Sequence, residues 1–368
     1  MALNIHLACG GTGGHIFPGL ATAEVLRSRG HRVSLWMAGK DVEASAVRGW
    51  DGPVITVPSE GFERVFAWRT LRTAWRLLGA RRICLNRMRQ ERPDVLLAMG
   101  SYASVGPASA AFRLGVPVVL HEANVIPGRA VVVLAARATA VAAVFEETRF
   151  YLKRRELTIT GMPLRREILE SRPAAPAAPR DEGAFTVLVT GGSRGAHRLN
   201  ELVVAAFTEL SGAPRALHVI HLTGVADEAA VRASYAAAKV SHEVHAFSHD
   251  MGGLYRRADL VICRSGAATC AELTAYGLPA LLVPFPFAAR QHQLANARAM
   301  AKHGAADLVE EKDLEQDWLA DYVTGMMRTP KRLRRMRAAA AALARTDAAE
   351  ALATLVEASA HGNAAAGI

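Results

Sequence analysis

Short strand-forming runs, mostly apolar, recur along the chain, separated by longer stretches of mixed polarity. In the first half they are Leu3 to Ala8, Arg32 to Met37, Val54 to Val57, Val95 to Met99, Val116 to Leu120 and Ala138 to Val144. In the second half Phe185 to Thr190, Leu217 to Leu222, Val244 to Phe247, Leu260 to Cys263 and Ala280 to Val283 repeat the rhythm. Runs of four to seven mostly apolar residues predict buried strands, and helical stretches between them predict parallel sheets with right-handed crossovers. The stretch from Lys331 to Ala358, rich in alanine and arginine, predicts a helix, with a tail that frays.

A chain of 368 residues with 51% hydrophobic and 21% charged composition suits two globular domains better than one core. The proline-rich stretch from Ser171 to Pro179 between the halves predicts an exposed linker. The expected fold class is α/β, with two Rossmann-like parallel-sheet domains facing across a cleft that holds the site. The expected organisation is an N-terminal domain at 1–163, a C-terminal domain at 164–340, and a terminal helix with its tail at 341–368.

Two strands lead directly into glycine-rich turns, Gly10-Gly11-Thr12-Gly13-Gly14-His15 and Gly191-Gly192-Ser193-Arg194-Gly195-Ala196. A turn between a buried strand and a helix aims backbone N–H groups and the positive helix end at an anion. The first turn lacks the dinucleotide fingerprint, because Ile16 stands where its third glycine belongs and Ala38 and Gly39 follow the second strand where an acidic residue is needed. Neither turn ends in Gly-Lys-Ser/Thr, which argues against a P-loop ATPase.

The net charge of +10 is concentrated. Between Phe62 and Arg92 nine arginines stand against Glu63 and Glu91, a local balance of 9 − 2 = +7, with Trp68, Leu71, Trp75 and Leu78 on one helical face. Such a helix suits an anionic membrane surface, or else packs its apolar face on the domain with its arginines solvated. No nucleic-acid-binding motif accompanies the patch, and nucleic acid is not an expected partner. No signal peptide or transmembrane helix is expected, since the longest apolar stretch, Ala130 to Phe145, is interrupted by Arg137. Cys9, Cys84, Cys263 and Cys270 have neither zinc-site spacing nor the density of a disulfide framework, and read as reduced thiols.

The first turn, followed in order by Gly100-Ser101-Tyr102, His121-Glu122-Ala123-Asn124, the second turn and Arg264-Ser265-Gly266-Ala267-Ala268-Thr269, resembles the MurG family. Those are the GT-B N-acetylglucosaminyltransferases that convert lipid I to lipid II in bacterial peptidoglycan synthesis. The resemblance implies inverting transfer of GlcNAc from UDP-GlcNAc to the 4-hydroxyl of undecaprenyl-pyrophosphoryl-MurNAc-pentapeptide. It implies a peripheral enzyme on the cytoplasmic face of the inner membrane, with the anionic inner leaflet and other cell-wall synthesis proteins as partners. Neither a cofactor nor a metal is expected.

Carried over residue by residue, the resemblance makes His15 a general base or a donor to a phosphate or sugar oxygen, and Glu122 a second candidate base. Thr12, Gly13, Gly14 and Tyr102 would cradle the acceptor's diphosphate, and Asn124 would orient the acceptor or donor sugar. On the donor side, the amides of Ala267 and Ala268 together with Thr269 would meet the phosphates, and Glu272 would bind the ribose hydroxyls. Arg165 would counter diphosphate charge, and Ser193 and Asn200 match further donor positions. Gln293 and Asn296 would read the GlcNAc hydroxyls, and Ser248 lies in the segment expected to pass the uracil through backbone atoms.

Overall fold

The computed structural model describes residues 1–39, 47, 49–57, 81–152, 156–174, 183–192, 195–210 and 213–362. The chain forms two compact units, Met1–Arg165 with Thr346–Ile368, and Arg166–Arg345.

The first unit carries a parallel sheet of seven strands: β1 Asn4–Ala8, β2 Arg32–Ala38, β3 Val54–Val57, β4 Val95–Ala98, β5 Val118–Glu122, β6 Ala140–Ala143 and β7 Thr158–Ile159. Their order is β3-β2-β1-β4-β5-β6-β7. Alternate residues face opposite sides of the sheet. Ala8, Trp36, Leu96, Leu120 and Val141 pack with Val131 and Leu134 of the helix Arg129–Ala135. Ile5, Leu7, Leu35, Leu97 and Val119 pack on the other side against Ile16, Ala23 and Leu26 of the helix Gly13–Ser28.

The same side receives Leu352, Ala353 and Val356 of the last helix, Ala348–Gly362. Each fully buried leucine or valine there contributes about 1.5–3 kcal/mol. Arg29 and His31 fix that helix through Glu357, each at 2.8 Å. The expected single helix from Lys331 to Ala358 is two, Pro330–Ala342 and Ala348–Gly362. Leu343 and Ala344 tighten the first into a final turn by bonding to Ala340 and Ala341, and the Asp347 carbonyl begins the second by accepting from Ala351. The boundary between the two units falls in this break.

The second unit repeats the architecture with β8 Phe185–Thr190, β9 Leu217–Leu222, β10 Ser241–His245, β11 Leu260–Cys263, β12 Ala280–Leu282 and β13 Ala306–Leu308. All neighbours are parallel, in the order β10-β9-β8-β11-β12-β13. In both sheets the strand order therefore reverses at one point, between β1 and β4 and between β8 and β11. Ligands of such sheets bind at the carboxyl ends of the strands beside that point. The short strands β7 and β13 have no counterpart in the apolar pattern: β7 has two residues, and Asp307 interrupts β13. The residues of the basic segment from 58 to 80, including Trp68, Leu71, Trp75 and Leu78, lie outside the described residues.

Candidate active site

In the first unit three neighbouring strands end in three turns that are tied to one another. After β1, Gly11 has φ +96°, and a Cβ there would also meet the Tyr102 ring at 3.2 Å. Thr12 leaves that turn in extended conformation and begins the helix Gly13–Ser28, its carbonyl accepting from His15 N at 3.0 Å and Ile16 N at 3.1 Å. Gly13 and Gly14 are exposed in the first helical turn, where N–H groups have no intrahelical acceptor.

After β4, Gly100 has φ +82°, and a Cβ would lie 2.8 Å from the His121 carbonyl oxygen. Ser101 is buried, and among the described residues its hydroxyl has no hydrogen-bond partner. Ser104 donates to the Ala8 carbonyl at 3.1 Å, closing this turn onto the first. The His15 ring makes the second tie: its Nδ1 lies 2.7 Å from the Met99 carbonyl oxygen. A carbonyl only accepts, so Nδ1 carries the proton.

After β5, Glu122 is buried and turned inward. Its Oε1 accepts from Asn124 N at 2.8 Å and Asn124 Nδ2 at 3.3 Å, and its Oε2 accepts from Gly128 N at 2.9 Å. Burial pushes its carboxyl pKa up, and the N–H groups of Asn124 and Gly128 pull it partly back. Beside it, His121 donates Nε2–H to the Gly161 carbonyl at 3.2 Å. Burial holds its pKa down at about 4. Arg165 stacks over the Phe17 ring at 4.9 Å, and Phe17 is also the side chain nearest to Gly13. Arg165 thus belongs to the first unit, beside the first glycine turn.

In the second unit, Gly195 has φ +73°, and a Cβ would fall 2.2 Å from the Thr223 carbonyl oxygen. Asn200 holds that carbonyl from the next helix: Nδ2 donates to it at 2.9 Å and to Asp227 Oδ2 at 2.7 Å, while Oδ1 accepts from His221 Nε2 at 3.1 Å. His221 accepts in turn from the Tyr235 hydroxyl at 3.0 Å, and burial keeps the imidazole neutral, its pKa at about 3. Asn200 therefore ties the turn after β9 to the glycine turn. Ser193 lies outside the described residues.

After β11, Gly266 caps the helix Ala267–Tyr276 from extended conformation, so the N–H groups of Ala267, Ala268 and Thr269 head the helix. Ser265 donates to the Gln293 carbonyl at 2.8 Å, and buried Asn296 donates to the Ser265 carbonyl at 3.1 Å. Gln293 Oε1 accepts from Phe285 N at 2.9 Å. The helix carrying Gln293 and Asn296 is entered through Arg290 and Gln291, both left-handed at φ 56°. Two successive non-glycine residues there store backbone strain. Arg264 braces the same turn from below, donating to Val283 O at 3.1 Å and Pro284 O at 3.3 Å and pairing with Glu311. Glu272 receives the Tyr255 hydroxyl on Oε2 at 2.8 Å. Ser248 accepts from Asp250 N at 3.1 Å, and Asp250 caps the following helix through Gly253 N at 2.7 Å.

Sequence reasoning found the turns but missed the side chains beneath them: Tyr255, His221, Asp227 and Ser265. Among the described residues no group of three His, Cys, Asp or Glu side chains is placed to hold a metal ion.

Residues 5–143 match the glycosyltransferase family 28 N-terminal domain, and residues 186–352 its C-terminal domain. The chain is 35% identical over 350 residues to the UDP-N-acetylglucosamine–N-acetylmuramyl-(pentapeptide) pyrophosphoryl-undecaprenol N-acetylglucosamine transferase of Geobacter metallireducens, covering 95% of this chain and 96% of that one. It is 40% identical over 359 residues to the protein of that name from Thiobacillus denitrificans, covering 95% and 96%. Among solved structures it is similar to Acinetobacter baumannii MurG, with a TM-score of 0.80 and 28% identity over 96% of this chain and 99% of that one. A UDP-N-acetylglucosamine 2-epimerase shares the fold at 12% identity and a TM-score of 0.67.

Proposed function

The chain belongs to glycosyltransferase family 28, and from that premise we propose that it transfers GlcNAc from UDP-GlcNAc to the 4-hydroxyl of lipid I, giving lipid II and UDP in peptidoglycan synthesis. The observation that carries this reading is near end-to-end similarity at 35–40% identity to relatives named for that reaction. The residues fit the chemistry. Inverting transfer needs an acceptor oxygen that attacks the anomeric carbon opposite the departing diphosphate, a base for its proton, and a sink for the leaving charge.

His15 is the base. Its Nδ1–H is committed to Met99, so the neutral ring carries its lone pair at Nε2, which takes the acceptor's proton. Glu122 is not placed to compete, because both of its oxygens hold the turn that carries Asn124 and Gly128. It shapes the acceptor loop and keeps Asn124 in register. The exposed amides of Gly13 and Gly14, with Thr12 and Tyr102, receive the acceptor's diphosphate, and the Ser101 hydroxyl and the Arg165 guanidinium are further donors to it.

On the donor unit, the helix headed by Ala267, Ala268 and Thr269 meets the UDP phosphates, and its dipole stabilises the charge that develops as the bond to C1 breaks. Glu272 takes the ribose hydroxyls. Gln293, with its carbonyl oxygen bound to Phe285 N, offers its amide N–H groups to the sugar, and Asn296 keeps the Ser265 turn in place. The Asn200 network fixes the second glycine turn, and the Ser248 turn leads to the uracil, both supporting the donor site.

The first unit is the membrane-facing one in this reading. No described helix is long and apolar enough to cross a bilayer, and Ile83, Val133 and Phe150 are exposed apolar side chains on a unit that carries the arginine-rich segment from 62 to 92. The reading is tested by mixing the protein with UDP-GlcNAc and a short-chain lipid I analogue and following UDP release. Release that needs the analogue supports it; release of free sugar without an acceptor favours epimerase-like chemistry.

A further inference from the structure

We infer that Tyr255 is a positioning residue for nucleotide recognition: its hydroxyl orients the Glu272 carboxylate toward the two hydroxyls of the donor's ribose. The inference rests on the donor-site reading above and assigns a role to a side chain outside it.

The geometry is built from below. Tyr255 lies in the helix Met251–Arg257, which approaches the helix Ala267–Tyr276 at Gly252. A Cβ on Gly252 would sit 2.7 Å from the Tyr276 hydroxyl and 2.0 Å from Ser171 Oγ, so any side chain there displaces both hydroxyls. The Tyr255 ring packs on Tyr276 with centroids 5.2 Å apart and is 1% exposed. Tyr276 is itself held, its hydroxyl donating to the Ile168 carbonyl at 2.8 Å. The phenol therefore reaches Glu272 from a locked ring.

Glu272 is half-buried on its helix. The terminal torsion of a glutamate is broad, so a carboxylate without an anchor samples many planes. A ribose offers two adjacent hydroxyls, and a carboxylate accepts both only when its plane faces them. The Tyr255 bond to Oε2 selects that plane before the nucleotide arrives, removing an ordering cost from binding. Burial and the neighbouring Glu272 charge push the Tyr255 phenol pKa well up, so it is a proton donor at any working pH.

Tyr255→Phe deletes the hydroxyl and keeps the ring on Tyr276. Calorimetric titration with UDP and with 2′-deoxy-UDP gives the ratio that reports ribose reading. The variant is expected to bind UDP about tenfold more weakly, the size of one hydrogen bond to a charged group, while its preference for UDP over 2′-deoxy-UDP shrinks. KM for UDP-GlcNAc rises with kcat unchanged. In a Glu272→Gln background the same change adds nothing, which marks the two side chains as one unit. A variant that weakens both nucleotides equally, or that keeps the wild-type ratio, overturns the inference. If Glu272→Gln loses UDP affinity while Tyr255→Phe does not, Tyr255 alone is misassigned; if the wild-type protein binds no UDP, the donor-site reading falls and this inference with it.

Discussion

The His15 ring is fixed by the backbone of Met99: Nδ1 stands 2.7 Å from that carbonyl oxygen, so the turn after β4 sets the tautomer of a side chain from the turn after β1. A base oriented by a carbonyl needs no carboxylate partner to place its lone pair.

This relationship separates orientation from proton transfer. An asparagine at position 15 keeps a donor near the place of Nδ1 and has no basic nitrogen. His15→Asn is expected to lower kcat by about 10²–10⁴-fold, the usual worth of a general base, with KM for UDP-GlcNAc unchanged. Steady-state kinetics in both substrates checks it; a raised donor KM with normal kcat would place His15 in binding instead.

Glu122 is expected to behave as a structural acceptor. In Glu122→Gln one oxygen becomes an NH₂ group facing a backbone N–H, leaving buried donors unmatched at about 1–3 kcal/mol. Urea denaturation should show that loss. The variant's pH–rate profile should keep its basic-residue limb, which a catalytic carboxylate would not allow.

Gly195→Ala puts a Cβ on a left-handed residue and against the Thr223 carbonyl. The backbone term alone costs about 1–2 kcal/mol. A lowered unfolding free energy and a raised KM for UDP-GlcNAc are expected, with KM for the acceptor unchanged. A neutral result would mean that the second glycine turn is not held by the Thr223 and Asn200 ties.

Acid should destabilise the protein through buried histidines. Burial lowers His6 and His121 from 6.5 to about 4 and His221 to about 3. These groups are neutral when folded and take up protons when unfolded below pH 6.5, so stability falls as pH drops from there toward 4, by up to about 1.4 kcal/mol per pH unit for each. Glu122 opposes them: its raised pKa contributes stability at low pH that is lost as pH rises through its folded value. Neither ring nitrogen of His6 has a hydrogen-bond partner among the described residues. His6→Leu should therefore unfold no more readily at pH 7 and show a shallower acid limb in calorimetry; an unchanged limb would contradict the assignment.

The sheets and both glycine turns were legible because each signal is local, an apolar run followed by glycines. The chemistry beneath was not. Asn200, Asn296 and Glu122 stand out only through the family resemblance, yet their side chains hold backbone groups inside their own units, and residue type does not say which way an amide or carboxylate turns. Tyr255 left no trace, since one aromatic in the short helix Met251–Arg257 makes no period. The helix break near Arg345 was hidden in an alanine-rich run whose turn signal, Thr346 and Asp347, is only two residues long.

Movement of GlcNAc onto a lipid separates a lipid II synthase from an epimerase of the same fold. Radiolabelled UDP-GlcNAc incubated with the protein and a short-chain lipid I analogue, with His15→Asn and Glu272→Gln alongside, tests it most directly. Label is expected in the lipid fraction for the wild type, with a kcat loss for the first variant and a donor KM rise for the second. Wild-type protein that binds UDP-GlcNAc and leaves all label out of the lipid fraction would contradict it.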